Sequence, residues 1–184
     1  MANIAENTYL FYGNPEELLE AHKCLTELFS EKGYDESCVD DTAGNKGEWI
    51  VDLEDFNPEC DTYFKLWTES KWYGNPTYWH DWTVKNYPNL AVAFECYEPG
   101  MRIFQRVDPD GKFNADEVYL TGTFESDDVR SFPEIIASVI YPGTTWICDV
   151  FEKSQLDAAH VDVNKLQGDW DMLEPTYTSY KELR

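Results

Sequence analysis

The chain has 184 residues, of which 42% are hydrophobic and 16% aromatic, and 36 acidic against 14 basic residues give it a net charge of −22. Disordered chains are poor in aromatic residues, so this composition predicts a folded protein of one domain, or one domain with an appendage. The charge repels phosphate and anionic lipid, which argues against direct binding to nucleic acid or a membrane. The sequence shows neither a cationic, apolar N-terminal segment nor a long apolar run, which predicts a soluble, cytoplasmic protein.

The tetrapeptide Tyr-Gly-Asn-Pro occurs twice, at 12–15 and 73–76, and each copy leads into a predicted helix. Asparagine is a preferred N-cap and proline suits the first helical position, so the helices are predicted over 14–31 and 75–87. Pro88 ends the second helix, in which Trp79 and Trp82 are the expected core anchors. The repeat is either a coincidence or the mark of two similar strand–helix–strand halves.

Strands are predicted around these helices from alternating or β-rich patterns, over 7–12, 48–53, 62–68 and 90–97. The resulting order, β-α-β-β-α-β, predicts an α+β fold with a ferredoxin-like antiparallel sheet and both helices on one face. Further along the chain, strands are predicted at 101–107, 117–124 and 144–151. The first two would extend the sheet antiparallel, as a hairpin across the turn sequence at 108–111. Short helices are predicted at 132–140 and 154–166. This organisation suggests a domain over 1–125 and a C-terminal extension over 126–184.

Three short segments carry a family resemblance: Trp67–Trp72 (WTESKW), Tyr87-Pro88 before a strand, and Tyr97–Met101 (YEPGM). In these segments the first 125 residues resemble a family of uncharacterised phage-borne and plasmid-borne proteins with a ferredoxin-like domain. The resemblance implies a mobile-element origin and the ferredoxin-like fold, and it brings no established activity. The last 60 residues lie outside it.

Motifs for catalysis or metal binding are missing from the sequence. It contains no GxSxG, P-loop, GxGxxG or HExxH pattern, and its five cysteines form no CxxC pair. The segment Asp108–Gly111 fails as a calcium loop, because position twelve is Tyr119 and not a glutamate. Glu95 and Glu98 with Arg102 and Arg106 indicate a surface ion-pair cluster rather than an acid–base site. We therefore predict no catalytic residues, no metal, no cofactor and no disulfide.

The acidic residues are concentrated between positions 35 and 61, where Lys46 is the only basic residue. They are Asp35, Glu36, Asp40, Asp41, Glu48, Asp52, Glu54, Asp55, Glu59 and Asp61. One interpretation is a solubilising face, and the sharper one is a binding surface for a basic protein. Same-face residues of a strand, such as Asp52 and Glu54, repeat at roughly 7 Å, about two phosphate steps of a DNA strand.

Two functional hypotheses follow. The first is a non-enzymatic binding protein from a phage or mobile element that blocks a basic, nucleic-acid-binding host protein, such as a defence component, by mimicking nucleic acid. The alternative is a small enzyme or ligand-binding protein whose pocket lies beside the aromatic cluster of Trp72, Tyr73, Trp79 and Tyr97.

Overall fold

The computed structural model describes residues 4–32, 47–98, 103–113, 118–121, 150–152, 157–158, 160, 170–172, 176–177 and 180–181. The chain divides into two compact units, residues 1–112 with 175–184, and residues 113–174. The predicted helix over 132–140 lies outside the described residues, and so does most of the one predicted over 154–166.

The first unit has an α+β fold with two helices and a sheet. Its elements, in chain order, are β1 (Ile4–Gly13), α1 (Pro15–Lys32), β2 (Glu48–Leu53), β3 (Tyr63–Lys71), α2 (Pro76–Asn86), β4 (Leu90–Glu98) and β5 (Ile103–Val107). The chain then continues with β6 (Val118–Thr121), β7 (Val150–Glu152), β8 (Trp170–Met172) and β9 (Thr176–Tyr177). The sheet has the order β2-β3-β1-β4-β5-β9, and its first five strands are antiparallel to their neighbours. The helices predicted over 14–31 and 75–87 and the first four predicted strands are confirmed, each within a few residues.

Helix α1 begins as its sequence predicts. The side-chain oxygen of Asn14 accepts hydrogen bonds from the backbone N–H groups of Glu16 (3.0 Å) and Glu17 (3.1 Å), two donors that the first turn leaves without a partner. Leu18 and Leu25 lie on the face toward the sheet and are fully buried. The helix therefore combines a capped start with an apolar face, which fixes both its position and its orientation.

Both helices pack against the same face of the sheet. From α2, the ring of Trp79 lies 5.6 Å from that of Tyr9 on β1. From α1, the ring of His22 packs against the ring of Phe64 on β3, with 5.1 Å between the ring centroids. Phe64 is the register partner of Phe11, which lies two residues from Tyr9 and so points to the same side. The opposite side, called here the open face because Glu6 and Glu69 on it are exposed, carries the alternate residues of each strand. Leu10 and its register partner Ala93 lie on this side as well, and they are buried.

Helix α2 differs from its prediction in two details. Asn75 occupies the N-cap position but makes no side-chain capping bond, because its amide is bonded elsewhere in the core. The buried residues of the helix are Pro76, Trp79 and Thr83, whereas Trp82 is only partly buried. Trp79 is 1% exposed and is confirmed as the anchor of this helix.

The predicted hairpin between 101–107 and 117–124 is wrong. Strand β6 belongs to a separate three-stranded sheet of order β7-β6-β8. The free edge of β5 is taken instead by β9, which runs parallel to it with Arg106 opposite Thr176. The turn itself is present, since Gly111 adopts a φ of 62° and its N–H bonds to the carbonyl of Asp108.

We expect Trp79→Ala to lower the free energy of unfolding by about 3–5 kcal/mol, as complete loss of a buried aromatic side chain does. Trp82→Ala should cost clearly less, because the Trp82 indole is already partly in contact with water. Urea denaturation of both variants measures the difference. Equal losses would show that the two indoles contribute alike to the core.

Candidate functional site

The carboxylates that the sequence singles out differ in their surroundings. Three are exposed: Asp52, Asp55 and Glu59. Two are half-buried: Glu54 and Asp61. Glu48 is completely buried. The remaining four lie outside the described residues: Asp35, Glu36, Asp40 and Asp41. Among the six described carboxylates, the three exposed ones are the most available for direct contact with a large partner.

Residues 52–61, called here the acidic bend, have a fixed backbone. Glu54 accepts a hydrogen bond from the N–H of Lys65 at 2.9 Å. Asp61 accepts one from the N–H of Asn57 at 2.7 Å, and the Asn57 carbonyl accepts the N–H of Asp61 at 2.8 Å. Glu54 and Asp61 therefore hold the bend in shape, while Asp55 and Glu59 remain free to meet a partner.

The phosphate-like spacing of Asp52 and Glu54 stays a prediction. The register of β2 against β3 shifts between Ile50 and Asp52, which is before this pair of residues. Strand β2 ends at Leu53, and the backbone N–H of Glu54 still bonds the carbonyl of Lys65 on β3 at 2.9 Å. Asp52 therefore lies on the last part of the strand, and Glu54 lies directly after it.

Assigning Glu48 to the binding surface is also wrong, because this side chain is 0% exposed. It points toward the helices, where Thr68 Oγ1 donates a hydrogen bond to its Oε1. Its Oε2 accepts two bonds from Asn75, from the backbone N–H at 3.1 Å and from the side-chain amide at 2.9 Å. A carboxylate predicted to face solvent therefore connects β2, β3 and the start of α2.

Burial raises the pKa of the Glu48 carboxyl above its ordinary value, because desolvation penalises the charged form. Hydrogen bonds from Thr68 and Asn75 lower it in part, and smaller contributions come from Tyr9 and Trp79. The same environment raises the pKa of the nearby Tyr9 phenol, first by burial and then through Glu48. Glu48 is thus a structural carboxyl whose charge is costly in the folded state.

The junction from β3 to α2 lies directly over this carboxyl. Trp72 adopts a φ of 77°, in the left-handed region that side chains other than glycine rarely occupy. Gly74 has no room for a side chain, since a Cβ there would lie 2.5 Å from Asn7 Oδ1 and 2.9 Å from the Tyr9 hydroxyl. The bonds to Asn75 thus hold a strained junction that leaves Trp72 and Tyr73 38% and 42% exposed.

The aromatic residues of the alternative hypothesis do not line one common pocket among the described residues. Trp79 is packed inside against Tyr9, whereas Trp72 and Tyr73 are on the surface. A groove of about 460 Å³ does run along α2, but on a different set of side chains. It is lined by Thr77, Tyr78, Asp81, Trp82, Lys85 and Asn86.

Sequence reasoning missed a feature of the open face, where exposed Glu6 lies opposite exposed Glu69 in the β1–β3 register. Glu6 falls before the strand predicted at 7–12, and Glu69 falls after the one predicted at 62–68. The pair was missed because β1 and β3 are longer than the strands predicted for them. The alternation of Tyr63, Lys65, Trp67, Glu69 and Lys71 along β3 is the pattern that indicates them.

The expected ion pair between Glu95 and Arg106 is present, with Arg106 Nε donating to Glu95 Oε2 at 2.8 Å. Its predicted place at the surface is wrong, because Arg106 and the neighbouring Glu98 are only 4% and 3% exposed. Arg102 lies outside the described residues. Across the described ranges, no three His, Cys, Asp or Glu side chains are grouped closely enough to hold a metal ion. In the same part of the chain, no helix has the length and apolar character needed to cross a bilayer.

No protein-family model, curated protein or solved structure shows a significant match to this chain. The resemblance to phage-borne and plasmid-borne proteins therefore stays a prediction.

The buried carboxyl gives a pH-dependent prediction. Its pKa is raised in the folded state, so its contribution to stability is present at low pH and is lost as pH rises from about 4.3 through the raised pKa. Glu48→Gln removes this titration. The free energy of unfolding of the variant, relative to wild type, should therefore increase with pH across that window.

The measurement is urea denaturation between pH 4 and pH 8, with Glu59→Gln in the acidic bend as the control for losing one carboxylate. A Glu48→Gln difference that changes with pH no more than the Glu59→Gln difference would contradict the assignment.

Proposed function

We propose that this protein is a non-enzymatic acidic binding protein from a phage or other mobile element, acting in the cytoplasm of a bacterial host. Its partner is a basic host protein that normally binds nucleic acid, such as a component of a defence system. The acidic bend is the contact surface, and the protein competes with nucleic acid for the cationic residues of its partner.

The observation that carries this proposal is the free carboxylates of the bend. Asp55 and Glu59 are exposed, and neither forms an ion pair with another described residue. The carboxylates of Glu54 and Asp61 hold the backbone that presents them. A rigid group of like charges loses little conformational freedom on binding, so more of its attraction to a cationic groove appears as affinity.

Charge also supports the choice of partner. A net charge of −22 makes encounter with basic proteins fast and encounter with nucleic acid unfavourable. A protein groove that binds phosphates through lysine and arginine attracts carboxylates by the same Coulomb force. Competition with nucleic acid then requires only that both ligands use the same cations, without a regular phosphate-like spacing.

The proposal includes a ferredoxin-like fold for the first unit, through the resemblance to the phage and plasmid family. It is supported by the chain order β1-α1-β2-β3-α2-β4, by the strand order β2-β3-β1-β4 with antiparallel neighbours, and by helices packed on one face. This arrangement leaves the acidic bend at the hairpin between β2 and β3.

The test is capture from nuclease-treated host lysate, followed by stopped-flow association with the captured protein. Replacing Asp52, Asp55 and Glu59 by Asn, Asn and Gln should slow association at 0.05 M salt by about tenfold, because steering depends on local charge. Raising the salt should remove most of the difference, since the Debye length falls to about 3 Å at 1 M. Added DNA should release the partner.

The charge-matched control replaces Glu20, Glu27 and Glu31, which are exposed on α1, by glutamine. This control changes the net charge equally but leaves the bend intact, so it should slow association much less. A partner that binds the protein and DNA at once, with little dependence on salt, would rule the proposal out.

A further inference from the structure

The groove along α2 has a volume of about 460 Å³, within the range of small-molecule sites, which is roughly 300–1,000 Å³. Its lining comes from two neighbouring rows of the helix, because residues four apart in sequence lie one above the other on a helix surface. The polar row is Thr77, Asp81 and Lys85, and the aromatic row is Tyr78, Trp82 and Asn86. The α2 groove, defined by these six residues, thus offers charge and ring surface side by side.

The two rings of the aromatic row are held in place by the core. The ring of Trp82 lies 6.3 Å from that of Phe11 and 5.9 Å from that of Trp79, at 86° and 78° to them. Tyr87 adds a third contact to this ring at 5.3 Å. Tyr78 packs against the same Trp79 ring at 5.3 Å and 87°. Tyr78 and Trp82 are nevertheless only half-buried, so the groove presents two ordered rings on which a ligand ring can stack at little cost in side-chain entropy.

The polar row places opposite charges one helical turn apart. Asp81 and Lys85 are both exposed, and side chains four residues apart on a helix have Cβ atoms about 5–6 Å apart. Asp81 contacts His80, with its Oδ1 3.1 Å from the Nδ1 of the imidazole, and its side chain is still 58% exposed. A ligand with a single charge meets one attractive and one repulsive group here. A ligand that carries both charges on neighbouring groups meets an attractive partner for each.

We propose that the α2 groove binds a free aromatic α-amino acid. The ligand ring stacks on Trp82 and Tyr78. Its ammonium group bonds to Asp81, and its carboxylate bonds to Lys85. Such a zwitterion has no net charge, so the net charge of −22 neither repels it nor attracts it to other parts of the surface. The groove shares no residue with the acidic bend, and this inference goes beyond the proposed function without depending on it.

The test is an NMR titration at pH 7 and 0.1 M salt with four defined compounds. L-Phenylalanine carries the ring and both charges, phenethylamine lacks the carboxylate, 3-phenylpropionate lacks the ammonium group, and L-alanine lacks the ring. The indole N–H signal of Trp82, assigned with Trp82→Phe, should shift saturably with L-phenylalanine. The two singly charged compounds should bind about threefold more weakly, because each loses one exposed ion pair. L-Alanine should cause no saturable shift.

Two variants assign the charges. Lys85→Gln should weaken the binding of L-phenylalanine about threefold and leave that of phenethylamine no weaker, because only the carboxylate contact is lost. Asp81→Asn should weaken the binding of L-phenylalanine and leave that of 3-phenylpropionate no weaker. The matched controls are Lys23→Gln and Glu27→Gln, two exposed positions on α1, which change the net charge equally and should leave the affinities unchanged. Thermal melts of all four variants exclude unfolding as the cause of lost affinity.

A polypeptide source of the same ring is tested with N-acetyl-L-phenylalaninamide, which carries neither charge. If this compound binds as tightly as L-phenylalanine, the groove takes an aromatic residue of a protein and the proposal is overturned. It is overturned as well if L-phenylalanine causes no saturable shift, or if Lys85→Gln changes its affinity no more than Lys23→Gln does. Each of these outcomes concerns α2 alone, so the proposed function of the acidic bend would stand.

Discussion

The buried carboxyl of Glu48 is the constraint on which the geometry of the first unit depends. A charged or strongly polar group without water must receive hydrogen bonds from the protein, and here they come from Thr68 on β3 and from Asn75, the residue before α2. Meeting that requirement uses the Asn75 side chain that would otherwise cap the helix. It also brings the junction so close to β1 that only glycine fits at position 74 and Trp72 takes a strained conformation. One buried group thus sets the path of the chain over the sheet.

The same requirement sorts the acidic residues of a chain with net charge −22. Some carboxylates are structural, because they accept hydrogen bonds from the backbone or from side chains. Glu17 accepts one from the backbone N–H of Asn89, and Glu54 accepts one from the backbone N–H of Lys65. Others, such as Glu6, Glu59 and Glu69, are exposed and have no ion pair within the described part of the chain. Both kinds carry charge and contribute to long-range attraction, but the second kind is the more open to direct contact with a partner. The electrostatic case for a basic partner therefore depends on position as well as on the total.

Local signals in the sequence were enough to predict the two helices and the strands β1 to β4, whereas the short strands β8 and β9 were not predicted. Asn14 and Pro15 start α1, Pro88 follows α2, and alternation marks β4, because each of these depends on neighbours within a few residues. What failed depends on pairing between distant segments. The register shift in β2 and the parallel return of β9 to β5 have no local signature. The burial of Glu48 also depends on distant segments. A glutamate at the start of a strand is expected at the surface, and only its hydrogen-bond partners Thr68 and Asn75 explain why it is buried.

The unfavourable features of the open face and of α1 are consistent with one another. Glu6 opposite Glu69 and Glu27 four residues before Glu31 both place like charges side by side, and each arrangement lowers the stability of the free protein. A cationic partner that neutralises such pairs regains that free energy on binding, and the complex is stabilised by mass action as well. A basic partner, as proposed above, would gain affinity by removing this repulsion. The stored repulsion is therefore a physical argument for testing that proposal on basic proteins.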